Sequence, residues 1–185
     1  MVHIKKLKII MISIILAVIA LIPNNVLADG PSYDITNYDM DAYIQEDGTI
    51  HIDESITYYF SSSANGLTRD LRYFYKTNKD SMEPNSARYQ ATGIENITVA
   101  VTNPANITTN FTKASNAEKG DNGVYTVDAV NADRTDGYVI MVYSPISYNN
   151  FQTVHYSYDI TDAVVQYNDM SEIYYNFIGN GIETD

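Results

Sequence analysis

The chain has no cysteine and no tryptophan in its 185 residues, and only three histidines. Without cysteine it can form no disulfide, bind no metal through thiolate and use no thiol nucleophile. His3 lies in the amino-terminal segment. His51 and His155 each stand in an alternating strand pattern, where a lone histidine is ordinarily a surface or satisfied residue, because metal and catalytic centres need convergent partners. The chain carries no HExxH, no GxSxG, no phosphate-binding loop and no dinucleotide-binding glycine pattern. Neither catalytic, cofactor-binding nor metal residues are assigned, and no cofactor is expected. Residues Asn131 to Gly137 have some of the composition of a calcium loop. Their spacing differs, and no glutamate follows Gly137 at the required distance, which limits calcium to weak binding at acidic loops. Positive charge is also scarce: 11 Lys and Arg against 23 Asp and Glu give a formal net charge of −12. Such a surface repels phosphate backbones, excluding nucleic acid as an expected partner, and disfavours plain electrostatic docking on an anionic membrane.

Apolar runs are short. The longest, Ile9 to Ile22, covers 14 residues, below the roughly 20 that a spanning helix needs. It follows Lys5, Lys6 and Lys8 and precedes a more polar segment with Val26 and Ala28 three residues and one residue before a cleavage point. This is the pattern of a secretory signal peptide over residues 1–28, cut between Ala28 and Asp29. The domain expected to remain, 29–185, has eight basic against 23 acidic residues, a net −15. It is the size of one ordinary domain, exported and held together by its core.

That domain holds all 17 tyrosines. Tyrosine suits half-exposed strands, with an apolar ring and a wet hydroxyl. From Tyr38 to Phe60 the residues alternate with period two, through Tyr38, Met40, Ala42 and Ile44, and then Ile50, Ile52, Ile56, Tyr58 and Phe60. Glu46-Asp47-Gly48 lies between, a strong hairpin signal. Ser61 to Gly66 reads as a loop, Leu71 to Tyr75 as a short strand and Lys76 to Gln90 as an exposed loop. Further strands are expected at Ile94–Val101, around Ile107–Phe111, at Val124–Ala129, at Tyr138–Tyr143 as a central strand, and at Phe151–Ile160. The expectation is an all-β fold: an antiparallel β-sandwich of about seven or eight strands, with one short helix near the C-terminus over the clustered apolar residues of 162–177.

Charge chemistry concentrates in one place. Five of the eight remaining basic residues, Arg69, Arg72, Lys76, Lys79 and Arg88, fall within 20 residues. Gly66, Arg69, Asp70 and Arg72 form the candidate structural or interaction loop. An Arg69–Asp70 pair there would bind an anion or clamp two sheets, and the clamp is favoured because a sequestered arginine ordinarily finds a carboxylate. Paired carboxylates, Asp53-Glu54 or Asp39 with Asp41, are the groups that would serve a hydrolase.

Tyr33-Asp34-Ile35, the strand into Glu46-Asp47-Gly48, Glu54 ahead of Tyr58-Tyr59-Phe60, Gly66-Leu67-Thr68-Arg69-Asp70-Leu71 and the later Glu172-Ile173-Tyr174-Tyr175-Asn176-Phe177-Ile178-Gly179 together resemble a family of predicted bacterial membrane proteins, domain of unknown function 2207. The resemblance spans nearly all of residues 29–185. It implies an extracytoplasmic β-sandwich-like domain that further strands and a transmembrane anchor follow, so that Asp185 would fall short of the anchor. It brings no catalytic residues. Arg72 stands where that family often has proline, and Tyr175 where it usually has tryptophan.

The expected function is that of a non-enzymatic extracytoplasmic domain of a bacterial envelope protein, at the outer face of the membrane or secreted. It would act in surface interaction, sensing or assembly, with an unidentified protein or glycan as partner and contact with the membrane only through an anchor beyond Asp185. A carbohydrate-binding or adhesive module and an envelope hydrolase with paired carboxylates are the alternatives.

Overall fold

The computed structural model describes residues 32–76, 87–132, 135–173, 175 and 177. The signal segment and its Ala28–Asp29 junction lie outside them.

Alternation becomes strand wherever β-branched and aromatic residues dominate. Tyr33–Ile44 (β1) and Ile50–Phe60 (β2) form the expected hairpin, in register from Ile44 opposite Ile50 to Tyr33 opposite Phe60. In its turn Asp47 Oδ1 accepts from the Thr49 amide at 2.9 Å, and Gly48 takes the left-handed φ of 84° that its neighbours would resist. The chain continues through Ala64–Lys76 (β3), Ala87–Gln90 (β4), Gly93–Thr102 (β5), Thr108–Asn110 (β6), Thr112–Lys113 (β7), Val124–Ala132 (β8), Thr135–Ile146 (β9) and Asn150–Thr161 (β10). A last hairpin pairs Val164–Gln166 (β11) with Ser171–Ile173 (β12).

Ten of these strands build two sheets, β1-β2-β10-β5-β6 and β4-β3-β9-β8-β7. Inward side chains of both contribute to one buried cluster, including Ile52, Ile56, Phe60, Val154 and Ile160 from the first and Leu67, Leu71, Ile140 and Val142 from the second. Each fully buried Ile or Val stabilises the fold by about 1.5–3 kcal/mol relative to exposure. Among the described residues, polar side chains also link one sheet to the other. Arg69 reaches Glu54, the Tyr125 hydroxyl donates to the Ile97 carbonyl at 2.7 Å, and Gln152 Nε2 donates to Ser144 Oγ at 2.6 Å.

Several expectations are corrected. Among the described residues there are 12 strands, where about seven or eight are expected. Seven have nine or more residues, and the other five have two to four, too few to show a period. No helix occurs among the described residues, and 162–177 carries the β11–β12 hairpin instead. Val164, Val165 and Ile173 are β-branched, Asp162 has a φ of 53°, and the Tyr167 amide donates to the Met170 carbonyl across Asn168-Asp169, all of which favour a hairpin over a helical turn. The sheets are not purely antiparallel, because β7 pairs with β8 in parallel. β4 occupies the end of the expected Lys76–Gln90 loop, and 77–86 lie outside the described residues. β6 pairs back onto β5.

Candidate functional site

Gly66, Arg69, Asp70 and Arg72 stand in β3, a strand hydrogen-bonded to β9, and not in a loop. The β period therefore separates the expected Arg69–Asp70 pair, since neighbouring residues of a strand point to opposite faces. Asp70 points out and meets Arg72, whose Nη2 donates to Oδ2 at 2.5 Å in a solvent-exposed bridge. Arg69 points in between Leu67 and Leu71, is 6% exposed, and meets Glu54 of β2.

Glu54 is at the core face because it shares the parity of Ile50, Ile52, Ile56, Tyr58 and Phe60. Arg69 Nε donates to its Oε1 at 2.6 Å and Nη2 to Oε2 at 3.0 Å, a forked pair. The Tyr38 hydroxyl donates to Oε2 at 2.9 Å. Burial works against the Arg69 charge, but the hydrogen bonds and charge of Glu54 outweigh it, so the guanidinium holds its proton more firmly than usual. Burial, and then the Glu54 charge, push the Tyr38 hydroxyl up. Asp53 faces outward, so Asp53-Glu54 does not form a carboxylate pair on one face, and Asp39 and Asp41 lie exposed on β1. The Tyr175 hydroxyl donates to the Arg72 carbonyl at 2.7 Å.

The outer face of the first sheet brings together polar residues far apart in sequence. Register sets His51 opposite Asp159 and Ser55 opposite His155. His51 Nδ1 lies 2.6 Å from Asp159 Oδ1, and Asn96 Nδ2 donates to the other Asp159 oxygen at 2.6 Å. His155 Nδ1 lies 2.7 Å from Ser55 Oγ, and its Nε2 lies 2.8 Å from Thr102 Oγ1. Asp159, His51 and Ser157 are ordered as in a nucleophile relay. Ser157 Oγ, however, is 3.4 Å from Nε2, with Asp53 at 3.5 Å beside it, and Ser157 stands mid-strand between register partners Asp53 and Thr98. Backbone amides engaged in sheet ladders are not oriented toward a developing oxyanion.

The two histidines have opposite electrostatics. The Asp159 hydrogen bond raises the His51 pKa against the opposing effect of burial, helped by the Asp53 charge. Burial lowers that of His155. His51 therefore contributes stability that is fully present below the unfolded value of about 6.5 and fades as pH rises through its folded pKa. The contribution of His155 is present above about 6.5 and is lost as pH falls through its folded pKa. An NMR titration of the imidazole resonances is expected to place His51 above and His155 below that value, with Asp159→Asn lowering His51 alone. His51 titrating at or below His155 would contradict the geometry.

Among the described residues no three His, Asp or Glu side chains converge as metal ligands. The site is thus an all-β architecture pinned by a buried ionic clamp. Residues 34–185 match the family model described as Predicted membrane protein (DUF2207) N-terminal domain, and the chain belongs to that family. No curated protein and no solved structure matches it. Sequence reasoning named Arg69 but missed its partner, although the inward parity of Glu54 was the available signal.

Proposed function

We propose that this chain is a β-sandwich domain on the outer side of a bacterial membrane, that it is not an enzyme, and that it acts by recognition at the cell surface. One observation carries the reading. Among the described residues the Arg69–Glu54 pair is buried between the sheets, while large apolar side chains including Tyr148, Ile107 and Phe151 are exposed. Tyr148 (65% exposed), Ile107 and Phe151 mark the end where β9 passes to β10, and Phe151 stacks on Tyr59 with ring centroids 4.9 Å apart. Exposed large apolar side chains of this kind mark contact surfaces. The amino-terminal signal pattern and the family's membrane description support the placement. Asp53 and Glu54 face opposite ways, which counts against hydrolysis by that pair.

The test is co-sedimentation of the purified full chain with isolated envelopes of a Gram-positive bacterium. The wild-type chain is expected to pellet, with at least a fivefold loss in a Tyr148→Ser/Phe151→Ser variant that melts normally. Equal pelleting of the variant, or breakdown of the envelope glycan by the wild-type chain, would overturn the reading.

A further inference from the structure

At the same end of the domain, a cavity of about 380 Å³ opens where the β5–β6, β7–β8 and β9–β10 connections meet. It is at the small end of the range of roughly 300–1,000 Å³ typical of small-molecule sites. Not one of its lining residues carries a charge, although the chain has 34 charged Lys, Arg, Asp and Glu side chains. An anion would find no lysine or arginine there, and a cation no carboxylate. The walls alternate apolar groups (Phe111, Pro104, Pro145) with amides and hydroxyls (Asn122, Ser144, Gln152).

Gln152 gives the cavity its direction. It is 4% exposed, its Nε2 donates to Ser144 Oγ, and its Oε1 is buried without a partner. Turning the amide over would let Ser144 donate to Oε1 and leave Nε2 unpaired instead. Either way one pole of a buried amide lacks its hydrogen bond, an arrangement that folded proteins rarely keep without a reason. A hydroxyl both donates and accepts, so it satisfies either orientation.

We propose that this cavity binds one neutral sugar unit of a surface glycan, with a sugar hydroxyl on the Gln152 amide and the apolar wall against the sugar's C–H groups. The proposal rests on the recognition reading above and narrows it to a ligand class.

The experiment is an amide NMR titration of the full chain with N-acetylglucosamine and glucose, with glucosamine, glucuronate and triglycine as comparisons. One or both neutral sugars are expected to shift the Gly123 backbone amide and the Gln152 side-chain amide. Gln152→Leu is expected to weaken that binding at least tenfold without lowering the melting temperature. Ser147→Trp, at an exposed rim position, is expected to block it in a chain whose fold is undisturbed. The proposal falls if neither neutral sugar shifts these amides, if the charged sugars bind as well, if triglycine alone binds, or if both variants bind normally. Should the sugars fail while envelope sedimentation still depends on Tyr148 and Phe151, the recognition reading stands and the sugar assignment alone is lost. Should sedimentation fail while the sugars bind through Gln152, the cavity stands without the aromatic surface.

Discussion

Arg69→Ala is expected to destabilise the domain by about 3–5 kcal/mol, the usual cost of removing one partner from a buried ion pair. For a chain of this size that corresponds to a drop in melting temperature of roughly 6–20 °C. Most of the loss comes from what remains, not from the attraction that is gone. The Glu54 side chain is fully buried, and without Arg69 its carboxylate would keep only the Tyr38 hydroxyl among the partners described above. Glu54→Ala is expected to cost a similar amount, because it takes the carboxylate away from a buried guanidinium.

The double variant Glu54→Leu/Arg69→Met separates a clamp from a mere ion pair. Replacing a buried pair by apolar residues of similar volume is often neutral or stabilising, so the double variant should recover most of what either single change loses. Tyr38 is half-buried on β1 and can turn its hydroxyl toward solvent once Glu54 is gone. Thermal and urea unfolding of wild type, Glu54→Leu, Arg69→Met and the double variant measure the coupling directly. A loss below about 1 kcal/mol for Arg69→Ala, the range of surface salt bridges, would show that the pair does not hold the sheets. Full additivity of the two single changes would show that they do not act on each other.

How much of this was legible in the sequence depends on range. The β1–β2 hairpin was readable because Asp47-Gly48 is local chemistry between two alternating runs, and the left-handed φ at Gly48 realises that signal. The inner face of β2 was equally readable, and counting by twos from Ile50 places Glu54 among the core residues. The same count from Ile160 through Tyr158, Tyr156 and Val154 arrives at Gln152. Neither reads at once as buried, because a polar residue in an apolar series looks like an interruption and not like a buried group that must find a partner. The partners themselves were not legible. Arg69 meets Glu54 across the layers, and His51 meets Asp159 across 108 residues by register, neither of which a local period encodes. Apart from β6, which lies within the strand expected around Ile107–Phe111, the strands of two to four residues were not legible for a simpler reason: a period of two needs more than one repeat to show. The apolar cluster of 162–177 misled because short runs of Val, Ile and Tyr fit a hairpin and a helical turn alike until β-branching is weighed.

Gly66→Ala is the second large effect, expected at about 3 kcal/mol, the upper part of the range for forcing extra atoms into packed structure. Gly66 faces Tyr143 of β9 at a shift in the β3–β9 register. A Cβ built there would lie 1.9 Å from the Val142 carbonyl oxygen and 3.0 Å from the carbonyl carbon. Those are backbone atoms of a strand paired on both sides, by β3 and by β8, so no side chain can swing away to relieve the overlap. Asn65→Ala is the matched control. It alters the neighbouring, exposed position and should change stability by less than about 0.5 kcal/mol, as surface substitutions usually do. Urea unfolding of both variants against wild type decides the matter, and a Gly66→Ala loss no larger than that of Asn65→Ala would refute the close approach. If the loss is as large as expected, the Gly-x-x-Arg spacing is architectural at both of its ends. The glycine lets β3 lie against β9 within one sheet, and three residues on, the arginine reaches across to Glu54 in the other.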